Sequence, residues 1–403
     1  MKIESVRDAI SQKLVGWAKT RVIRDYDEFC QVKPDRRALL SYLVLPLLPP
    51  RSFRDRVKFS NRGIAQEIPR VLNELGYSLD IVNYDNRSWF PDRQYDMFIG
   101  HGGINFEAIS RRLPERTVRI YFATGIYWRE LNTRVQRRAA NLASRRGVVL
   151  SSYRAVEHSE DYALRNSDGI ICLGNHRAVQ TYSQFPNIIG INNAIFPVEW
   201  EGWRGKDFEE GRRHFLFFSG RGNVLKGLDL LLEVFAGSDL HLHVCQHLES
   251  DFADAYRREL AMHHNIHIYG FTSMRSKKFA ALATQCDWAI SPTCAEGQPG
   301  AMLECMARGL IPILSEESNI DVGKWGISLP DCHIDTLRST VLKASRMDTD
   351  LIRQMTSEVV EDTRNKYTVK NFRKNIREAI AGFADFHVRS QHFFLVPPGF
   401  HKR

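Results

Sequence analysis

No two cysteines in this sequence stand two residues apart, and the seven present (Cys30, Cys172, Cys245, Cys286, Cys294, Cys305 and Cys332) are scattered singly. An odd, unspaced set excludes a zinc framework and a disulfide scaffold. Several of these thiols lie in apolar runs, where they act as small hydrophobes in a reducing compartment. Long hydrophobic runs are also missing. None reaches the ~18 residues that a membrane-spanning helix needs. The longest, "ALLSYLVLPLLPP" at 38–50, is internal and broken by proline. The opening "MKIESVRDAISQKL" lacks the apolar stretch of a signal peptide, so the expected location is cytoplasmic. There is no short repeat, no low-complexity tract and no Gly-x-Ser-x-Gly nucleophile elbow.

What is present is an excess of basic residues, 56 Lys and Arg against 47 Asp and Glu, for a formal charge of +9. Such a balance favours anionic partners such as phosphorylated ligands, nucleic acid or an anionic membrane face. The 403 residues allow two or three domains. Apolar, β-rich runs alternate with helical patterns in two series. The first comprises 41–47, 77–84, 96–100, 118–124, 169–174 and 188–195. The second comprises 214–220, 240–246, 266–270, 288–292 and 311–315. Strand alternating with helix means parallel sheets, so the expected fold class is α/β with two Rossmann-like domains and a cleft between them. The expected boundaries are 1–200 for the first domain, 201–213 for a charged linker and 214–370 for the second domain. A C-terminal helix and tail at 371–403 is expected to pack back on the first domain.

Two loops carry the chemistry. In "SPTCAEGQPGAMLECMARG" (291–309) a strand precedes Glu296-Gly297-Gln298-Pro299-Gly300, and Glu304 stands eight positions after Glu296. Proline suits a helix start because its missing N–H would be unpaired there. The small residues admit a ligand, and carboxylates accept from hydroxyl groups. The competing reading is an ordinary strand–loop–helix with Glu304 paired to Arg308 at i,i+4. In "FFSGRGNVLKGLDLLLEVF" (217–235) a strand ends at Gly220, and Arg221 and Lys226 stand five apart before the helix. Both are cations suited to a diphosphate. A Walker loop would need Gly-Lys-Ser/Thr at the helix start, whereas here Lys226 precedes Gly227 and Leu228 follows, and a dinucleotide loop would need glycine where Leu225 stands.

The succession Gly-Arg, Lys-Gly before a helix, then Glu-Gly-x-Pro with a second glutamate eight residues on, resembles the group 1 glycosyltransferases, retaining family 4 enzymes of the GT-B fold. The resemblance covers about residues 214–320 motif by motif and the first half in layout only. It implies that Arg221, Gly222 and Lys226 hold the donor diphosphate. It implies that Glu296, Gly297, Gln298, Pro299 and Gly300 surround the donor sugar, that Glu304 accepts from the ribose and that Gly270 and Phe271 meet the base. Glu296 and His101, or less favourably His158, are the catalytic candidates. Gly63, Gly102, Gly103, Thr124 and Gly125 are expected on the acceptor side. No cofactor or metal is implied. The implied partners are a nucleotide-sugar donor and a glycan or lipid-linked acceptor, in surface polysaccharide or lipopolysaccharide synthesis, and nucleic acid is not among them. Where family members carry a histidine after the fourth strand, this chain has Thr124-Gly125.

Other signals stay open. Residues 1–24 read as a basic amphipathic helix (Ile3, Val6, Ile10, Leu14, Trp17), suited to an anionic membrane surface or to docking on its own domain. Six arginines in 129–146 suit lipid phosphates, a polyanionic acceptor or a solvated face. His241, His243 and His247 lack a nearby carboxylate to complete a metal set. A phosphorolytic enzyme and a non-catalytic basic binding protein with a vestigial sugar site are the alternatives to glycosyl transfer.

Overall fold

The computed structural model describes residues 16–48, 60–196 and 202–394. Residues 1–15, most of the amphipathic N-terminal pattern, lie outside the described residues. Thirteen described strands form two sheets. The first contains β1 (Val22–Tyr26), β2 (Arg36–Tyr42), β3 (Tyr77–Asn83), β4 (Met97–Gly100), β5 (Val118–Ala123), β6 (Gly169–Leu173) and β7 (Ile188–Ile191), in the order β1-β3-β2-β4-β5-β6-β7. The second contains β8 (His214–Phe218), β9 (His241–Cys245), β10 (Ile266–Ile268), β11 (Trp288–Ser291), β12 (Ile311–Ser315) and β13 (Ile327–Leu329), in the order β10-β9-β8-β11-β12-β13. All neighbours pair in parallel except β1, which runs antiparallel to β3. Parallel strands covered on both faces read as continuous apolar runs, which is why β3, β4, β6, β8, β11 and β12 are buried along their whole length.

The helices that position the site are α1 (Ser60–Glu74), α2 (Trp128–Arg146), α3 (Asp161–Asn166), α4 (Leu228–Phe235), α5 (Gly300–Met306) and α6 (Val369–Phe394). Helix α6 buries Phe372, Ile376, Ala379, Ile380 and Phe383 in the first-domain core. Arg373 adds an ion pair to the buried Glu67 of α1 at 2.5 Å.

Three local readings are corrected. The run 41–47 is not a strand: β2 ends at Tyr42 and Leu45–Leu47 forms a 3-10 turn, because Pro46 has no N–H to give a ladder. The N-terminal helix does not extend to residue 24, since Val22–Tyr26 pairs with β3. The arginine stretch is neither a lipid-facing nor a fully solvated face. Although α2 lies between β5 and β6 in the chain, Leu142 and the following Leu150 are buried in the core of the second domain. Arg138 donates to the Pro292 carbonyl at 3.0 Å, Arg145 pairs with Asp229 at 2.6 Å and Arg146 with Glu259 at 2.7 Å. A first-domain helix therefore staples the two domains together.

Candidate functional site

A cavity of about 620 Å³ opens between the domains at the carboxyl ends of both sheets. Open parallel sheets place ligands there because the loops that leave the strands converge at that edge. His101 follows β4, Thr124 and Gly125 follow β5, Arg221 and Lys226 follow β8, and Glu296 and Gly297 follow β11. All of them line this one cavity, as do Gly102 and Gly103.

The two second-domain loops are locked to each other by their own backbone. Gly227 has a left-handed φ of +83°, and a Cβ there would stand 2.4 Å from the Pro292 carbonyl oxygen. Only glycine permits that approach. Cys294 donates its N–H to the Leu225 carbonyl at 2.9 Å, and Thr293 Oγ1 donates to the same oxygen at 3.1 Å. Buried Asn223 holds the glycine-rich loop from within through Gln246 Oε1 at 2.7 Å and the His247 carbonyl at 3.0 Å. The result is an ion pair between Lys226 and Glu296 on the cavity wall. Burial and the nearby Arg154 charge pull the Lys226 ammonium down, to about 7. The Glu296 carboxylate in contact with it opposes that fall.

On the first-domain side, His101 donates Nδ1–H to the Phe122 carbonyl at 2.9 Å. That bond assigns the tautomer and leaves Nε2 as the acceptor. Burial, only partly offset by the Phe122 carbonyl, holds the imidazole below its ordinary range and so neutral. The rings of Tyr42 and Tyr84 meet it edge-on at 5.4 and 5.3 Å. His158 also lines the cavity, where its Nε2 accepts from Arg87 at 2.9 Å. Two cavity residues have no signal in the sequence. Glu160, hydrogen-bonded by the Tyr121 hydroxyl, is pushed up to about 7 by burial. Arg154 enters from the loop between α2 and α3. Both lie in a charged stretch that reads as solvated, and only tertiary packing turns it inward.

Several expected ligand contacts are placed elsewhere. Glu304 does not line the cavity, and both its oxygens are taken: Oε1 accepts from the Phe196 N–H at 3.1 Å and Oε2 from Arg308 at 2.5 Å. The i,i+4 pair anticipated as the competing reading is the one formed. Gln298 is buried and bridges to the crossover strand end. Its Nε2 donates to Asn192 Oδ1 at 2.8 Å, and its Oε1 accepts from the Asn193 N–H at 2.8 Å. Pro299 caps α5 and Gly300 begins it, both behind the cavity wall. Gly63 lies against the Phe196 ring, which stands 2.3 Å from where a Cβ would be, and does not face the acceptor side. Phe271 is 82% exposed, and neither it nor Gly270 lines the cavity. Gly222, in the glycine-rich loop after β8, meets Arg154 and does not line the open cavity.

Among the described residues, no group of three or more His, Cys, Asp or Glu is arranged to hold a metal ion, and no helix is long and apolar enough to cross a membrane. His241 and His243 instead join His214 and His267 in a stacked ladder across β8, β9 and β10.

Residues 201–321 match the family model for glycosyl transferases group 1. No curated protein sequence matches the chain. Among solved structures, sucrose-phosphate synthase from Thermosynechococcus elongatus superposes with a TM-score of 0.58 at 12% identity, covering 90% of this chain and all (100%) of that one. WaaG, a glycosyltransferase involved in lipopolysaccharide biosynthesis, gives 0.53 at 12% identity over 86% of this chain and 99% of its own. A variant of S. aureus TarM in complex with fondaparinux, alpha-GlcNAc-glycerol and UDP gives 0.53 at 16% identity over 72% of this chain. The chain spans only about half of TarM, 55% of its length. These likenesses, with two parallel sheets facing one cleft, establish the fold as GT-B. Within the second domain, residues 201–321 are similar to the group 1 glycosyltransferases.

Proposed function

We propose that the chain transfers a hexose from a nucleotide-sugar to a glycan or glycolipid hydroxyl, with retention of configuration, in the synthesis of a surface polysaccharide. One observation carries the reading. Lys226 and Glu296, on two loops of the family-matched domain, meet on the wall of an interdomain cavity that His101 enters from the other side. A cation pair, Arg221 and Lys226, suits the charge that develops on a departing diphosphate. A carboxylate beside it suits the hydroxyl groups of a sugar.

In this reading the bond between the anomeric carbon and the terminal phosphate oxygen breaks, and its electron pair stays on the phosphate. The acceptor oxygen bonds to the same face of the anomeric carbon. Its proton passes to the phosphate oxygen, so the products are the glycoside and a nucleoside diphosphate. His101, neutral and accepting through Nε2, orients an acceptor hydroxyl or a donor sugar hydroxyl. Thr124 and Gly125 border the acceptor side. No step uses a metal, so transfer is expected to persist in a chelator. TarM crystallised with UDP, which supports a uridine donor here without excluding GDP or ADP sugars. The involvement of WaaG in lipopolysaccharide biosynthesis supports the surface-glycan setting, with peripheral membrane attachment through the basic N-terminus.

The test is a screen of UDP-, GDP- and ADP-sugars for a rise in melting temperature and for donor hydrolysis. Product stereochemistry is then read by NMR. A chain that no nucleotide stabilises refutes the proposal.

A further inference from the structure

We propose that Arg154, carried by the first domain, is a third cation on the terminal phosphate of the donor, and that it reaches that position only when the two domains are together. This assignment rests on the nucleotide-sugar reading of the cavity and adds to it a residue from the opposite domain.

Arg154 lines the same cavity as Arg221, Lys226 and Glu296. Among the described residues no hydrogen bond or ion pair engages its guanidinium, although ion pairs neutralise most other arginines of this region. Its side chain lies against Gly222, in the loop that carries Arg221 and Lys226, and its charge disfavours the Lys226 ammonium. Glu296 offsets the charge of Lys226, and among the described residues neither Arg154 nor Arg221 is paired with a carboxylate, so a diphosphate removes the repulsion that remains.

The backbone around Arg154 is held from both sides. Ser151 donates through its N–H and its hydroxyl to Asp251 of the second domain, each at 2.6 Å. Val156 exchanges two hydrogen bonds with the Asn132 side chain of α2, at 2.7 and 2.9 Å. Between these anchors Arg154 takes a φ of +63°, in the left-handed region that a residue with a Cβ avoids. Strain of that kind persists where surrounding contacts impose it, and it clusters at ligand clamps. The partner surface is shaped to match. Gly222, with φ +96°, has no side chain, and a Cβ there would stand 2.9 Å from Arg154 Cγ. The glycine of the diphosphate loop thus leaves room for an arginine of the other domain.

The experiment uses the full chain and compares nucleoside diphosphates with the matching monophosphates by calorimetry. The variant R154G suits the positive φ and so removes the charge without adding strain. R154K retains the charge. The expected result is that R154G loses about tenfold or more in affinity for the diphosphate, with the monophosphate changed by less than about twofold. R154K recovers part of the loss, and the melting temperature of R154G stays at or above wild type. A structural role would instead lower the melting temperature and weaken both nucleotides together. An R154G protein that keeps the wild-type preference for diphosphate overturns the assignment alone. A wild-type chain that binds neither nucleotide overturns the proposed function and this assignment with it.

Discussion

Gly297 offers the sharpest test of whether the two domains must close on each other for transfer. A Cβ on this residue would lie 2.4 Å from the Thr124 carbonyl oxygen and 3.1 Å from that of Leu173, both in the first domain. Ordinary contact begins near 3.4 Å, so Gly297→Ala needs a separation of about 1 Å, and the obstacle is backbone rather than a flexible side chain. The φ of Gly297 lies outside the left-handed region, so the whole effect is steric. The loop has little freedom to absorb it. Glu296 is tied to Lys226 on one side, and Gln298 is tied to Asn192 and Asn193 on the other. The displacement therefore passes to the domain interface. A misplacement of about 1 Å between reacting groups costs about 100-fold in rate, near 2.7 kcal/mol of activation free energy. Initial rates of sugar transfer should fall by about that factor. Calorimetric affinity for the nucleoside diphosphate, whose proposed cations are mostly on the second domain, should stay within about threefold. A G297A protein that transfers at close to the wild-type rate would show that chemistry does not depend on this approach.

Three further outcomes follow from the same contacts. Glu304→Gln leaves Arg308 buried without its partner and should lower stability by about 3 kcal/mol while sparing nucleotide affinity; a loss of affinity at unchanged melting temperature would return Glu304 to the ribose. Leu142→Ala empties a fully buried site in the second-domain core from a first-domain helix. It should cost about 3 kcal/mol and split a shared calorimetric unfolding transition in two; an unaltered transition would deny the staple. The histidine ladder predicts acid sensitivity. Burial, reinforced by neighbouring rings, lowers His243 to about 3, and His241 and His267 are also lowered. Below pH 6.5 the unfolded chain takes up protons that the native state refuses, so stability falls as pH falls. His243 alone accounts for about 2 kcal/mol between pH 6.5 and 5. His243→Phe should flatten the dependence of melting temperature on pH over that range, and an unchanged slope would remove the ladder as its cause.

The fold was largely readable because parallel strands buried on both faces leave unbroken apolar runs, as at Gly169–Leu173 and Ile311–Ser315. Strand, small-residue turn and helix succeed one another locally, so the loops at Gly220–Gly227 and Pro292–Gly300 could be located from residue order alone. The short edge strands β1 and β13 were missed, since each has only one neighbour and half-exposed side chains that carry little pattern.

The sequence by itself determined two α/β sheets, a basic balance, and two glycine-bearing loops whose cations and carboxylates suit a phosphorylated sugar. Tertiary structure alone decided which of those groups share a cavity. Lys226 reaches Glu296 because Gly227 lets its loop approach Pro292. Glu304 turns to Arg308 and the Phe196 amide instead of the cleft. Arg154 enters from a charged stretch with no periodicity to mark it, and the arginines of α2 turn from expected surface to interdomain staple. Spacing along a chain constrains neighbours within one turn of helix or one loop. Contacts between residues 70 to 154 positions apart, such as Lys226 with Glu296, Arg145 with Asp229 or Arg138 with Pro292, depend on how whole elements pack, and no local pattern encodes that.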